Sequence, residues 1–191
     1  MAQFIDLFYN IKNINDTYKQ TKSICSLNQK DKNDDDPLVD LEIEGYHVRQ
    51  VVLDFGSQVN IMTRDTWEQL GRPRLNESGI YLKLADQGLI EPIGVWWNVD
   101  TTIKGISTKV NFEIIDPKEG SSSFLALVGR PWGRKMKASI SLDKERIKLK
   151  GNEHKVLVPI FPSQGEPWTE PIDEEFDVQK IYQIQNDEDY T

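Results

Sequence analysis

The residues best suited to chemistry form the segment Asp54-Phe55-Gly56-Ser57. Asp54 comes directly after the apolar run Val51-Val52-Leu53, so its carboxylate is expected at the end of a buried strand. Burying a carboxylate is costly unless hydrogen bonds or a second ionisable group share its charge. Gly56 permits a turn that brings backbone N–H groups to the carboxylate, and Ser57 is expected to donate its hydroxyl to an outer carboxylate oxygen. The pattern predicts a rigid, half-buried aspartate.

A single carboxylate cannot act as acid and base toward one water molecule at once, whereas two facing carboxylates that share a proton can do both. The chain has one other Asp-X-Gly sequence, Asp86-Gln87-Gly88, but its flanks are polar and it follows Asp54 too closely for a second lobe. We therefore interpret Asp86 as a turn residue. The second carboxylate would come from Asp54 of another copy, across a two-fold axis.

The elements that must position Asp54 are mostly short strands. Alternating apolar and acidic residues in 38–44, the turn at Gly45 and a strand over 47–53 predict a hairpin that ends at Asp54. Further strands are predicted over 80–85, 90–99, 110–115, 124–128, 138–142, 147–150 and 155–160, with a short helix over 65–71 capped by Asp65. Many short strands and little helix predict an all-β barrel or closed sandwich.

Three segments carry a resemblance to a known family: LDFGSQVNIM (53–62), LADQGLIEPIGVW (84–96), and FLALVGRPW (124–132) followed by ASISLDKERIKLK (138–150). In order and spacing they resemble the retropepsin-like aspartic protease domain, especially that of plant gypsy-type retrotransposon polyproteins. The resemblance implies an all-β fold, a small closed barrel of the retropepsin (acid protease) type with one or two short helices. It covers about residues 37–160.

The resemblance also implies a role for each part of the site. Asp54 would be catalytic, and Phe55, Gly56 and Ser57 would complete the active-site loop. The flap would be centred on Ala85, Asp86, Gln87 and Gly88, and the supporting loop would be Leu127, Val128 and Gly129, followed by a short helix over 130–136. The implied reaction is hydrolysis of a peptide or polyprotein substrate by water held between two Asp54 carboxylates of a homodimer, without metal or cofactor.

One position departs from the family pattern. The family usually has Thr or Ser where this chain has Phe55, and that hydroxyl forms a hydrogen bond across the dimer axis. Phe55 cannot form this bond, whose loss would cost on the order of 1 kcal/mol. The alternative hypothesis is therefore a catalytically silent retropepsin-like module for binding or assembly.

Charge and composition suggest three regions: a polar, disordered N-terminal extension (1–36), the protease-like domain (37–161) and an acidic C-terminal tail or linker (162–191). From residue 163 onward, nine acidic residues face Lys180 alone, and 1 − 9 = −8 equals the net charge of the whole chain. Because the rest is formally neutral, a nucleic-acid partner is not indicated, and the basic residues within 130–137 are interpreted as a solvated face.

Several other classes of site are not indicated. Cys25 is the only cysteine, which excludes an internal disulfide framework, and one cysteine with two histidines makes a zinc site improbable. The N-terminus has no basic start and carries Asp6 inside its apolar run, so neither a signal peptide nor a membrane span is predicted. The expected location is intracellular, in the cytoplasm.

Overall fold

The computed structural model describes residues 20–23, 36–84, 88–117, 124–151, 154–160 and 168–172. The strands within these ranges are β1 Gln20–Ser23, β2 Leu38–Ile43, β3 Tyr46–Leu53, β4 Asn60–Thr63, β5 Ile80–Lys83, β6 Leu89–Ile90, β7 Gly94–Ile103, β8 Ile106–Ile115, β9 Ala126–Val128, β10 Ser139–Ser141, β11 Arg146–Lys150, β12 Lys155–Pro159 and β13 Thr169–Pro171. The helices are α1 Arg64–Gln69 and α2 Arg130–Lys135. Neither they nor any other helix in the described ranges is long and apolar enough to cross a membrane.

Six strands close into a mixed barrel in the order β3-β2-β7-β8-β4-β9. The ring closes because β9 pairs with β4 on one side and runs parallel to β3 on the other, with Val52 opposite Leu127 and Leu53 opposite Val128. The β2–β3 pair is the antiparallel hairpin predicted from the alternating pattern. The prediction of an all-β fold, a small closed barrel with one or two short helices, is confirmed, and the described residues contain two.

Smaller sheets lie outside the ring. The strands β10, β11 and β12 form one antiparallel sheet, and β1, β5 and β6 form another. The strands β1 and β13 come from the two flanks to which the sequence analysis assigned no strand: β1 runs parallel to β5, and β13 extends the barrel sheet beside β3. Polar segments can join a sheet edge because pairing uses backbone groups. At the β13 edge, Arg49 also lies 5.4 Å from the centroid of the Trp168 ring.

Two apolar clusters position the functional region. The larger one fills the barrel and includes the fully buried side chains of Trp132 and Phe112. The second contains Val52, Val59, Ile61, Leu82, Ile115, Phe124 and Leu127. It joins the strand that leads to Asp54 with β9 and with the β5–β6 hairpin. The loop after β3 is thus flanked by well-packed elements.

Two local predictions need correction. The predicted helix over 65–71 begins earlier, because Thr63 rather than Asp65 is its cap: the Thr63 hydroxyl accepts a hydrogen bond from the Thr66 N–H at 3.3 Å. The predicted strand over 90–99 is interrupted, and β7 begins at Gly94. A Cβ at Gly94 would lie 2.8 Å from the carbonyl oxygen of Asn76, so only glycine allows this close approach.

Candidate active site

The carboxylate of Asp54 is held by its own loop. Asp54 follows β3, is 7% exposed, and donates its backbone N–H to the carbonyl of Val128 at 3.1 Å. Its Oδ1 accepts hydrogen bonds from the backbone N–H groups of Gly56 at 2.9 Å and Ser57 at 3.1 Å. These bonds fix the plane of a nearly buried carboxylate, which is the preorganisation that proton transfer at a defined position requires.

The hydroxyl of Ser57 does not play the part expected from the sequence. It donates to the carbonyl of Val59 at 2.9 Å, and it accepts from the N–H of Val59 at 3.3 Å. Ser57 is fully buried, so its contribution to Asp54 is the backbone N–H rather than the hydroxyl. The expectation that this hydroxyl reaches an outer oxygen of Asp54 is therefore wrong, because the turn beyond Gly56 directs it into its own loop.

Backbone N–H groups at and after the supporting loop form hydrogen bonds with the Asp54 loop (residues 54–57) and with Asn60 beyond it. The N–H of Gly129 donates to the side-chain oxygen of Asn60 at 2.9 Å, and the N–H of Arg130 donates to the carbonyl of Ser57 at 3.1 Å. A Cβ at Gly129 would lie only 2.2 Å from the carbonyl oxygen of Val59. Leu127 and Val128 pair with β3 in the adjoining strand β9. The two loops therefore form one unit.

Asn60 is a functional candidate that the sequence analysis missed. It is 1% exposed, and its side-chain nitrogen donates to the carbonyl of Asn111 at 2.9 Å while its oxygen accepts from Gly129. One amide thus connects β4, β8 and the supporting loop. The available signal was an amide side chain inside the apolar segment Val59-Asn60-Ile61-Met62, since a polar group in a buried strand needs partners.

The side chain of Phe55 packs against other residues of its own chain. A Cβ built on Gly133 in α2 would lie 2.8 Å from Cε1 and 3.0 Å from Cζ of the Phe55 ring. The ring therefore covers the glycine face of this helix and packs against the main core cluster. This packing gives Phe55 a structural task within one chain, in place of the hydroxyl usual at this position of the resembled family.

We expect Phe55 and Gly133 to be energetically coupled. Gly133→Ala should destabilise the wild-type chain by about 1–3 kcal/mol, because the added methyl group overlaps the Phe55 ring. In a Phe55→Thr background the same change should be neutral or stabilise the chain by up to about 1 kcal/mol, since the ring is gone and alanine favours helix. Denaturant unfolding of the four variants gives the coupling energy. An equal cost of Gly133→Ala in both backgrounds would contradict the contact.

The segment assigned to the flap starts from a hairpin on the second apolar cluster. Leu82 pairs with Ile90 and is fully buried, and the N–H of Leu84 donates to the carbonyl of Gly88 at 2.8 Å. Three of the four flap residues named from the sequence, Ala85, Asp86 and Gln87, lie outside the described residues. The base of the hairpin shares its cluster with Val59, next to the Asp54 loop.

Glu113 is a second partly buried carboxyl group, and it lies near the end of the Asp54 loop. It lines a cavity of about 200 Å³ together with Gln58 and Asn60. Burial raises the pKa of Glu113 above its ordinary value of 4.5, and the hydrogen bond donated by the Ser78 hydroxyl at 2.7 Å opposes that rise. The folded chain therefore binds the Glu113 proton more tightly than the unfolded chain does. This proton stabilises the folded state fully at pH values below the ordinary pKa of 4.5, and the stabilisation is lost as the pH rises through the pKa of Glu113 in the folded chain.

Glu113→Gln should flatten this part of the pH dependence. The amide oxygen can still accept from Ser78, while the charge that opposes burial is removed. We expect the unfolding free energy of the variant to fall less between about pH 4 and pH 7 than that of the wild type. Urea titrations across this window measure the difference. Glu77→Gln, on the exposed loop before Ser78, is the control; a wild-type slope in Glu113→Gln would refute the assignment.

Metal chemistry has no candidate ligand set in the part of the chain that is described. There, no group of three or more His, Cys, Asp or Glu side chains is placed to hold a metal ion. Both described histidines, His47 and His154, lie away from the Asp54 loop contacts.

One comparison with a solved structure agrees with this geometry at the level of fold. A crystal structure of the retroviral protease-like domain of Ddi1 from Leishmania major matches 70% of this chain and 100% of that chain, with a TM-score of 0.54 and 18% sequence identity. The chain has a retroviral protease-like fold. The EIAV protease, in complex with an inhibitor, matches 59% of this chain and 99% of that chain, with a TM-score of 0.41 and 14% identity. No family model and no curated protein matches the chain.

Proposed function

We propose that this retroviral protease-like chain is an aspartic endopeptidase that hydrolyses peptide bonds with Asp54 as its catalytic residue. The observation that carries the proposal is the nearly buried Asp54 carboxylate, fixed by the Gly56 and Ser57 N–H groups at the end of a barrel strand. A carboxylate in this position can take a proton from water or return one to a leaving group.

The active form would be a homodimer. One carboxylate cannot hold a water as base and protonate the scissile amide as acid at the same moment, whereas two that share a proton can. The chain has one Asp-X-Gly that follows a buried strand, so the second Asp54 comes from a second copy. The residues assigned to the flap, Ala85 to Gly88, would close over an extended substrate that pairs through its backbone.

The proposed substrate is a polyprotein of retrotransposon type. Its support is the resemblance carried by the segments at 53–62, 84–96 and 124–150. Cleavage would take place inside the cell.

The assay that tests the function uses the purified full-length chain and an unstructured peptide library at acidic pH. We expect cleavage whose rate rises more steeply than linearly with chain concentration, because two chains build one site. Linear dependence across the range in which sedimentation shows monomer converting to dimer would contradict a shared site. Absence of cleavage at dimeric concentrations would reject the endopeptidase.

Phe55 favours one alternative function, a catalytically silent module for binding or assembly. The Phe55 ring packs on Gly133 of its own chain, so this part of the loop is held by an intrachain contact. Under this alternative, the chain sediments as a monomer at high concentration and shows no cleavage. The same sedimentation experiment therefore distinguishes the two functions.

A further inference from the structure

A basic cleft lies apart from the Asp54 loop. It is formed by the turn between β7 and β8, the C-terminal end of α2 and the end of β11. Its lining includes Gly105, Ser107, Lys135, Lys137, Lys150 and His154, and its volume is about 500 Å³. None of the residues that line it belongs to the Asp54 loop or to the supporting loop.

The walls of the basic cleft are fixed by backbone contacts. The N–H of Lys150 donates to the carbonyl of Met136 at 2.9 Å, and Met136 is almost completely buried. The N–H of Gly151 donates to the carbonyl of His154 at 3.0 Å, which brings His154 back over the cleft. A Cβ at Gly105 would lie 4.0 Å from Nε2 of His154, so this ring faces the turn. These contacts give the basic cleft a defined shape in the folded chain.

The charge of the basic cleft has one sign within the described residues. Its lining contains three lysines and a histidine, and no aspartate or glutamate. Lys135 donates to the carbonyl of Lys109, while Lys137 and Lys150 form no ion pair with any described residue. All four of these side chains are exposed, so their donors are accessible to an anion from solvent.

The size and the donor types of the basic cleft narrow the choice of anion. Its volume of about 500 Å³ lies within the range of small-molecule sites, roughly 300–1,000 Å³. Lysine ammonium groups bind phosphate as point charges, and the imidazole N–H of His154 adds a neutral donor. We propose that the basic cleft binds a small ligand that carries a phosphate or diphosphate group.

The test titrates pyrophosphate and inorganic phosphate into the full-length chain by calorimetry, at a fixed ionic strength of about 0.15 M. We expect saturable binding of one pyrophosphate per chain. Lys137→Gln and Lys150→Gln should each weaken it about tenfold, the loss expected for one charge-assisted hydrogen bond. Asp54→Asn should bind as the wild type does, which separates this site from the proposed peptidase.

Lys148→Gln is the matched control. Lys148 is exposed on the same face of β11 as Lys150 but does not line the basic cleft, so its loss removes the same charge without a contact. Equal weakening by Lys148→Gln would overturn the proposal, because it would indicate general charge screening. An absence of saturation at pyrophosphate concentrations below about 10 mM would also overturn the proposal. A single-stranded oligonucleotide that binds with steep salt dependence while pyrophosphate does not would assign the surface to nucleic-acid strands instead.

Discussion

Asp54→Asn is expected to lower the rate of peptide hydrolysis by orders of magnitude while leaving the fold intact. The amide oxygen of asparagine can still accept the Gly56 and Ser57 N–H bonds, so the loop keeps its shape. The amide can neither take up nor share a proton at this position. We expect the cleavage rate to fall by about 10²- to 10⁴-fold, the usual contribution of a positioned acid or base. Peptide assays and thermal unfolding of the two proteins measure the two effects.

The control for charge is Asp65→Asn, on the exposed first turn of α1, which should cleave as the wild type does. Mixing wild type with Asp54→Asn adds a sharper test. If two Asp54 carboxylates form one site, an equal mixture that exchanges subunits should retain about one quarter of the wild-type activity per total chain. Retention of about one half would show that each Asp54 acts alone. Full cleavage by Asp54→Asn itself would remove the proposed catalytic residue.

Gly129→Ala should be the most destabilising single methyl addition in the site. The new Cβ would lie 2.2 Å from the carbonyl oxygen of Val59, which belongs to the backbone and accepts the Ser57 hydroxyl. Relief of that overlap would have to separate the two loops that hold Asp54. We expect a loss of about 3 kcal/mol or more, and a Tm lower by roughly 10 °C. Chemical and thermal unfolding measure both quantities.

Gly79→Ala provides the control for this substitution. No atom lies within 4 Å of a Cβ at Gly79, so alanine there should be neutral or stabilise the chain by about 0.4–1 kcal/mol through the unfolded state. If Gly129→Ala and Gly79→Ala unfold at the same denaturant concentration, the close approach of the two loops is not present in solution.

The elements that depend on local pattern could be predicted from the sequence. The β2–β3 hairpin follows from alternation ending in a glycine turn, and the position of Asp54 follows from the apolar strand before it. The short helix over 130–136 was implied by the family resemblance, and α2 occupies Arg130–Lys135. The number of short strands predicted an all-β barrel or a closed sandwich, and the family resemblance implied the closed barrel, which is confirmed.

The details that depend on contacts between distant segments could not be predicted. The direction of the Ser57 hydroxyl depends on the path of the chain to Val59, and the Phe55 ring meets a helix that begins 75 positions later, at Arg130. The role of Asn60 needs a supporting loop whose position only the fold defines. The edge strands β1 and β13 pair through backbone groups, and such pairing cannot be predicted from the side-chain composition of a segment.

The hydrogen bond between Asn60 and Gly129 spans 69 positions, and β9 must insert between β3 and β4 before the barrel can close. Contacts of such long sequence separation form late, because the entropy of closing a large loop is lost before they give any stabilisation. During synthesis Asp54 would leave the ribosome long before β9 and Gly129, which contact its loop in the folded chain. A nascent chain would therefore carry an unassembled, inert carboxyl group until the segment through Gly129 had been translated.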